Sequence, residues 1–232
     1  MYDPLELSKI TEKLVTKRTM KKYYRFRPAK FYGGISTADT VGCNLRCKFC
    51  WSGNSVWNAK NAGEFYSPED VAETLLNIAE VKGYNQIRVS GGEPTIGKNH
   101  LIDLLKCIYQ DLVFILETNG ILLGADKRYV DALSQFKNLH IRVCLKGIDP
   151  EEFSLLTGAE KGHKYQMKSL EYLKDSNVSY NIALVTTKRN IDVFRNRLID
   201  MGLGKIMLEL EDIKLYPQVK NRLKKEGLIK YF

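Results

Sequence analysis

Short runs of apolar and β-branched residues alternate along this chain with longer stretches whose apolar positions recur at helical spacing. The runs are ISTADTVG (35–42), QIRVSGG (86–92), LVFILET (112–118), HIRVCLK (140–146), VSYNIALVT (178–186) and KIMLELEDIKL (205–215). Each reads as a buried strand. Between them SPEDVAETLLNIAEVKG, NHLIDLLKCIYQ, ADKRYVDALSQF, DPEEFSLLTG with YQMKSLEYLKDS, and NIDVFRNRLIDMG read as helices. Ser67-Pro68-Glu69-Asp70 and Asp149-Pro150-Glu151-Glu152 supply caps, an N1 proline and first-turn acids, while Gly83 and Gly202 close helices. Six strand–helix units in this order predict right-handed parallel βαβ crossovers. Six is too few to close an eight-stranded barrel. The fold class is therefore α/β, an open, partial (β/α)6 barrel of parallel strands, with a doubly wound sheet as the alternative.

Charge divides the chain further. Residues 1–30 carry nine Lys/Arg against three acids, and residues 214–232 carry six against one. The net charge of +9 thus sits wholly at the two ends. We expect a basic N-terminal extension over 1–34 packed on a barrel over 35–215, then a basic C-terminal tail or helix over 216–232. In TKRTMKKYYRFRPAKFY basic residues interleave with aromatics, a pattern that suits RNA or an acidic protein, or simply a solvated surface. No apolar run is long enough for a membrane span, and the N-terminus lacks signal-peptide order, so the expectation is a cytoplasmic protein without membrane contact. Five cysteines in a reducing compartment argue against a disulfide framework.

Three of those cysteines lie in VGCNLRCKFCW (41–51), spaced C-x3-C-x2-C. Structural zinc takes four protein ligands, and a [4Fe–4S] cluster has four irons to satisfy. With Cys43, Cys47 and Cys50 alone, one iron keeps an open position where a small molecule can bind. Zinc would need a distant fourth ligand from His100, His140 or His163, none at motif spacing, and we expect the histidines in surface or turn positions. Other unusual residues also fall at strand ends: Gly91-Gly92-Glu93-Pro94, Glu117-Thr118-Asn119-Gly120 and Lys146-Gly147. In a parallel α/β fold that rim is where chemistry resides.

CNLRCKFC, with Phe49 before the last cysteine, resembles the signature of the radical S-adenosylmethionine (SAM) superfamily, and SGGEPT (90–95) resembles its GGEP motif. The resemblance runs over residues 35–215 and implies the partial-barrel fold independently. It implies a [4Fe–4S] cluster on Cys43, Cys47 and Cys50, with SAM chelating the fourth iron. Gly91, Gly92 and Glu93 would meet the methionine ammonium, and Pro94 would stiffen the turn. Glu117 and Asn119 would reach the ribose or methionyl portion, and Phe49 and Trp51 would shield the cluster or face adenine. An external one-electron donor such as ferredoxin or flavodoxin would reduce the cluster. SAM would then yield a 5′-deoxyadenosyl radical that takes a hydrogen atom from substrate, inside a lumen expected to be apolar.

SGGEP, ETNG and LKGIDPEEFSLLTG further resemble the glycyl-radical-enzyme activase branch, in which Lys146 would assist SAM. That branch carries an aspartate where this chain has Cys144, and a proline-containing segment where it has ALVTTKRN. Alternation puts Cys144 on the same face as Lys146, as a hydrogen donor, a substrate contact or a packing residue; Cys107 reads as packing. Arg142 and Tyr180 are candidates for the lumen, and Glu209 and Glu211 for its mouth. The expected substrate is a partner protein. RNA is the alternative, and a non-enzymatic iron–sulfur carrier the remaining reading.

Overall fold

The computed structural model describes all 232 residues. It opens with α1 (Pro4–Val15) and a short β1 (Thr16–Lys17), then a ten-residue β2 (Met20–Ala29). The first parallel unit follows: β3 (Ile35–Thr40), α2 (Gly53–Trp57), β4 (Glu64–Tyr66) and α3 (Pro68–Lys82). Next come β5 (Gln86–Gly91), α4 (Lys98–Cys107), β6 (Val113–Thr118), α5 (Ile121–Ala125) and α6 (Lys127–Leu133). The chain continues with β7 (Leu139–Leu145), α7 (Pro150–Thr157), α8 (Gly162–Lys174), β8 (Ser179–Val185) and α9 (Asp192–Asp200). It ends with β9 (Leu208–Glu211) and α10 (Pro217–Lys225).

The six expected parallel strands pair in chain order, β3-β5-β6-β7-β8-β9, in a sheet that does not close. This is an open α/β partial barrel. The sixth strand is shorter than its apolar run, because from Asp212 onward the chain leaves the sheet edge. The sequence pattern missed the antiparallel start: β2 pairs with β3, and β1 and β4 pair with β2. In MKKYYRFRPA the basic residues masked the strand's alternation. No helix is long and apolar enough to cross a membrane.

Alternation assigns the two sheet faces. Ile87, Val89, Phe114, Leu116, Ile141, Val143, Ile182 and Leu184 point outward into the main core under α3, α4, α6 and α8. Burying each such side chain contributes roughly 1.5–3 kcal/mol. Tyr180 joins that outer layer rather than the lumen, since it pairs in register with Ile141. Helix ends follow the expected signals: Ser67 and Asp70 form a capping box, and Gly83 takes the left-handed conformation at φ 65°. His100 and His163 are buried, not at the surface. His100 accepts from Tyr23 Oη through Nε2 at 2.9 Å and donates from Nδ1 to Thr19 O at 2.7 Å, which makes it an internal strut.

Candidate active site

The cysteine loop and the GGEP loop leave neighbouring parallel strands and are stitched together. Gly92 N–H donates to Thr40 O at 2.8 Å, and Glu93 N–H donates to Gly42 O at 2.7 Å. A Cβ on Gly92 would lie 2.0 Å from Gly42 O, so only glycine permits this approach. Gly91 holds φ +97°, where a Cβ would meet Thr40 N at 2.6 Å.

Glu93 is buried, and its carboxylate ties three segments together. Oε1 accepts from Thr95 N (3.1 Å), Thr95 Oγ1 (2.5 Å) and Thr118 Oγ1 (2.6 Å), while Oε2 accepts from Asn119 N at 2.8 Å. Beneath the loop lies Lys21, fully buried. Its ammonium donates to Glu93 O (3.2 Å), Pro94 O (2.7 Å) and Ile96 O (2.5 Å). Burial pulls Lys21 down to about 7, against the attraction of Glu93 and Glu12. Lys21 lay inside a run that read as surface charge, so nothing in the pattern singled it out.

Asn119 is almost fully buried beside the cysteines. Its Nδ2 donates to Asn44 Oδ1 at 2.7 Å and lies 3.9 Å from Cys43 Sγ; its Oδ1 accepts from Ile121 N. Asn44 Nδ2, also buried, has no partner. Burial pushes the Cys47 thiol up to about 12 and Cys43 higher still, and Cys50 is raised as well. A bound cation reverses that preference by stabilising the thiolates.

Both chain ends hold this loop. Tyr2 Oη accepts from Arg46 N at 2.7 Å and donates to Thr157 O at 3.2 Å. Arg222, on α10, donates from Nε to Lys48 O at 2.6 Å and from Nη2 to Cys50 O, with its guanidinium over Trp57. Phe49 packs on Phe232 with ring centroids 6.1 Å apart. These contacts join distant segments, so no local pattern announced them.

A cavity of about 780 Å³ runs from the cysteine loop along the inner sheet face. Cys43, Cys47, Cys50, Gly91, Gly92 and Glu93 line one end. Phe49, Glu117, Asn119, Cys144 and Lys146 also face it, so the residues singled out in the sequence converge, with Pro94 set back against Lys21. The lumen is not the apolar chamber expected. Arg142 donates to Glu209 at 2.6 Å and Glu211 at 2.7 Å and lies 3.8 Å from Glu117, which in turn pairs with Arg88 at 3.3 Å. Burial favours protonation of Glu211, but Lys146 and Arg142 together hold its carboxyl below the usual range. Cys144 shares the lumen face with Lys146, and burial raises its thiol to about 12. Trp51 stands exposed at the mouth with Arg25 stacked 5.8 Å from its ring.

The donor set suits an iron–sulfur cluster with SAM. Three thiols share one loop, Asn44, the residue after Cys43, carries an unpartnered Nδ2, and Gly91 and Gly92 line the same end of the cavity.

The family model of the radical SAM superfamily matches residues 38–197. A GTP 3′,8-cyclase of Alkaliphilus metalliredigens is 30% identical over 131 residues, covering 54% of this chain and 38% of that protein. One from Mannheimia succiniciproducens is 24% identical over 220 residues, covering 88% of this chain and 60% of that protein. The chain thus spans 38% and 60% of the lengths of these two relatives, under two thirds of each. Among solved structures, Streptococcus suis SuiB bound to its precursor peptide SuiA superposes with a TM-score of 0.63 at 20% identity, over 85% of this chain and 41% of that one. SuiB is similar in fold. On the family match, this chain belongs to the radical SAM superfamily, whose members work with a [4Fe–4S] cluster and SAM.

Proposed function

We propose that this chain is an enzyme that takes a hydrogen atom from a polar, charged substrate group seated in its lumen. The observation that carries the reading is the cavity itself. It joins three thiols at one end to a network of arginines and carboxylates at the other, within the size range of ligand pockets. A [4Fe–4S] cluster bound here with SAM would supply the one-electron chemistry for hydrogen-atom removal. Cys43, Cys47 and Cys50 would hold that cluster, and an external ferredoxin- or flavodoxin-like donor would reduce it.

The chain's own residues bind and orient. Gly91 and Gly92 seat their loop against the cysteine loop at the methionine end, and Glu93 Oε2, with one protein donor, keeps a lone pair for the ammonium. Pro94 and Lys21 stiffen that loop. Asn119 lines the rim with Asn44 hydrogen-bonded behind it, Phe49 offers a face to adenine, and Glu117 and Lys146 set the charge between SAM and substrate. Cys144, on the cavity wall, would serve as a substrate contact. No general base is required for hydrogen-atom removal. The GTP 3′,8-cyclase relatives, named for a charged nucleotide, support a polar substrate.

A second reading keeps the activase-like branch, with a partner protein as substrate. Phe31, Tyr32, Trp51 and Tyr216, all exposed around the cavity mouth, favour it by offering apolar contacts to an entering loop. RNA held by the basic ends is less favoured. Lys21 and Lys22 are buried on backbone carbonyls, Arg25 and Arg27 pair with Asp39, and Arg222 holds the cysteine loop.

The test is an electron paramagnetic resonance spectrum of anaerobically reconstituted, reduced protein with and without SAM, followed by assay for 5′-deoxyadenosine. The expected result is a cluster signal altered by SAM, with 5′-deoxyadenosine formed. A signal indifferent to SAM would overturn the enzyme reading in favour of an electron carrier, and no iron bound would overturn both in favour of another metal-binding module.

A further inference from the structure

In one row of three side chains across the inner face of the sheet, Arg27, Thr37 and Arg88, the last two have hydrogen-bonding capacity that the protein leaves unused. Arg27 on β2 pairs in register with Thr37 on β3, and Thr37 with Arg88 on β5. Arg88 is 6% exposed, lines the cavity, and its buried Nε has no partner. Thr37 is 0% exposed, and its Oγ1 also has none. Unpaired buried donors of this kind cost about 1–3 kcal/mol each, which a bound acceptor would recover.

The charges facing this row favour an anion. Arg25, Arg27 and Arg88 present three guanidiniums on this side of the lumen. Against them stand Asp39, bound to Arg25 at 2.7 Å and Arg27 at 3.1 Å, and Glu117, 3.3 Å from Arg88. Glu117 is also shared with Arg142, 3.8 Å away, while Glu209 and Glu211 are held by Arg142. Below the row a small cluster of Ala29, Ile35 and Ile115 closes the floor, and Phe31 stacks 5.1 Å from the Arg88 guanidinium. Dry walls strengthen a charge-assisted contact, and the planar guanidinium matches an oxyanion in two-point fashion.

Depth separates this row from SAM. Thr37 and Arg88 precede Thr40 and Gly91 by three residues on strands that share one register, roughly 10 Å further from the cysteine rim. We propose that Arg27, Thr37 and Arg88 form an anion subsite that seats a carboxylate or phosphate group of the substrate. This deepens the reading of the lumen as a charged-substrate site and rests on it.

Equilibrium dialysis of the reconstituted protein against labelled inorganic phosphate, and separately acetate, at constant ionic strength and with saturating SAM, tests the subsite. We expect one equivalent of at least one anion to bind saturably. Phosphate preference would point to a phosphorylated substrate, acetate preference to a carboxylate. R88Q and R27Q should each weaken binding at least tenfold, with R27K intermediate. Arg27 lies on a partly exposed strand, so R27Q keeps the test valid if R88Q fails to fold. Binding of neither anion, binding unchanged in the folded variants, or displacement of the anion by SAM would overturn the subsite. If Arg-dependent anion binding occurs while no 5′-deoxyadenosine forms, the radical reading fails and the subsite stands. If SAM is cleaved and no anion binds, the subsite fails and the radical reading stands.

Discussion

Gly92 and Lys21 act on the same loop from opposite sides, and each makes a prediction. G92A would drive a methyl into Gly42 O, backbone against backbone. We expect a loss of about 3 kcal/mol or more, near the upper end for overpacking, and a drop of about 10 °C in Tm. A calorimetric scan checks it. Lys21 is a base whose folded pKa, about 7, lies below its unfolded value of 10.5. Between those values the unfolded chain binds the extra proton, so Lys21 makes the folded state gain stability as pH rises and lose it as pH falls toward 7. From pH 7.5 to 9 that gain is about 2 kcal/mol. Urea unfolding of wild type and K21M at both pH values should show the gain only in wild type, with the other titrating groups cancelling in the difference.

Among the elements, α10 has a role its composition conceals. PQVKNRLKK looks like a solvated basic helix, yet Val219 and Leu223 are fully buried and Arg222 reaches the carbonyls of Lys48 and Cys50. Hydrogen bonds to a charged group contribute about 1.5–3 kcal/mol each. R222M should therefore loosen the cysteine loop and speed iron loss from the reconstituted cluster about tenfold, read as the rate of chelator capture. An unchanged rate would assign α10 to packing alone. β2 was hidden in the same way. Its lysines and arginines interrupt an apolar alternation, and they do so because they face internal carbonyls and Asp39 rather than water.

Across the whole molecule, the N- and C-terminal segments grip the cysteine loop at separate points, Tyr2 at Arg46 and Arg222 at Lys48 and Cys50. Y2F orphans the Arg46 N–H at a cost of about 1–3 kcal/mol. Because the two contacts share no partner, the stability losses of Y2F and R222M should add to within about 0.5 kcal/mol, checked by a double-mutant cycle. Strong non-additivity would mean that the loop moves as one cooperative piece.

Local pattern alone determined the six parallel strands, the helix caps and the clustering of Cys43, Cys47, Cys50, Gly91 to Pro94 and Asn119 on one rim, because those signals are short-range: periodicity, capping chemistry and motif spacing. Tertiary structure decided the rest. It turned Gly92 into a loop-to-loop contact and Glu93 into a knot of four hydrogen bonds. It also filled the lumen with paired charges where apolar walls were expected, and drew basic residues from both ends inward. A lysine's partner is set by what distant segments bring to it. Charge in a sequence therefore does not reveal whether it faces water or a buried carbonyl.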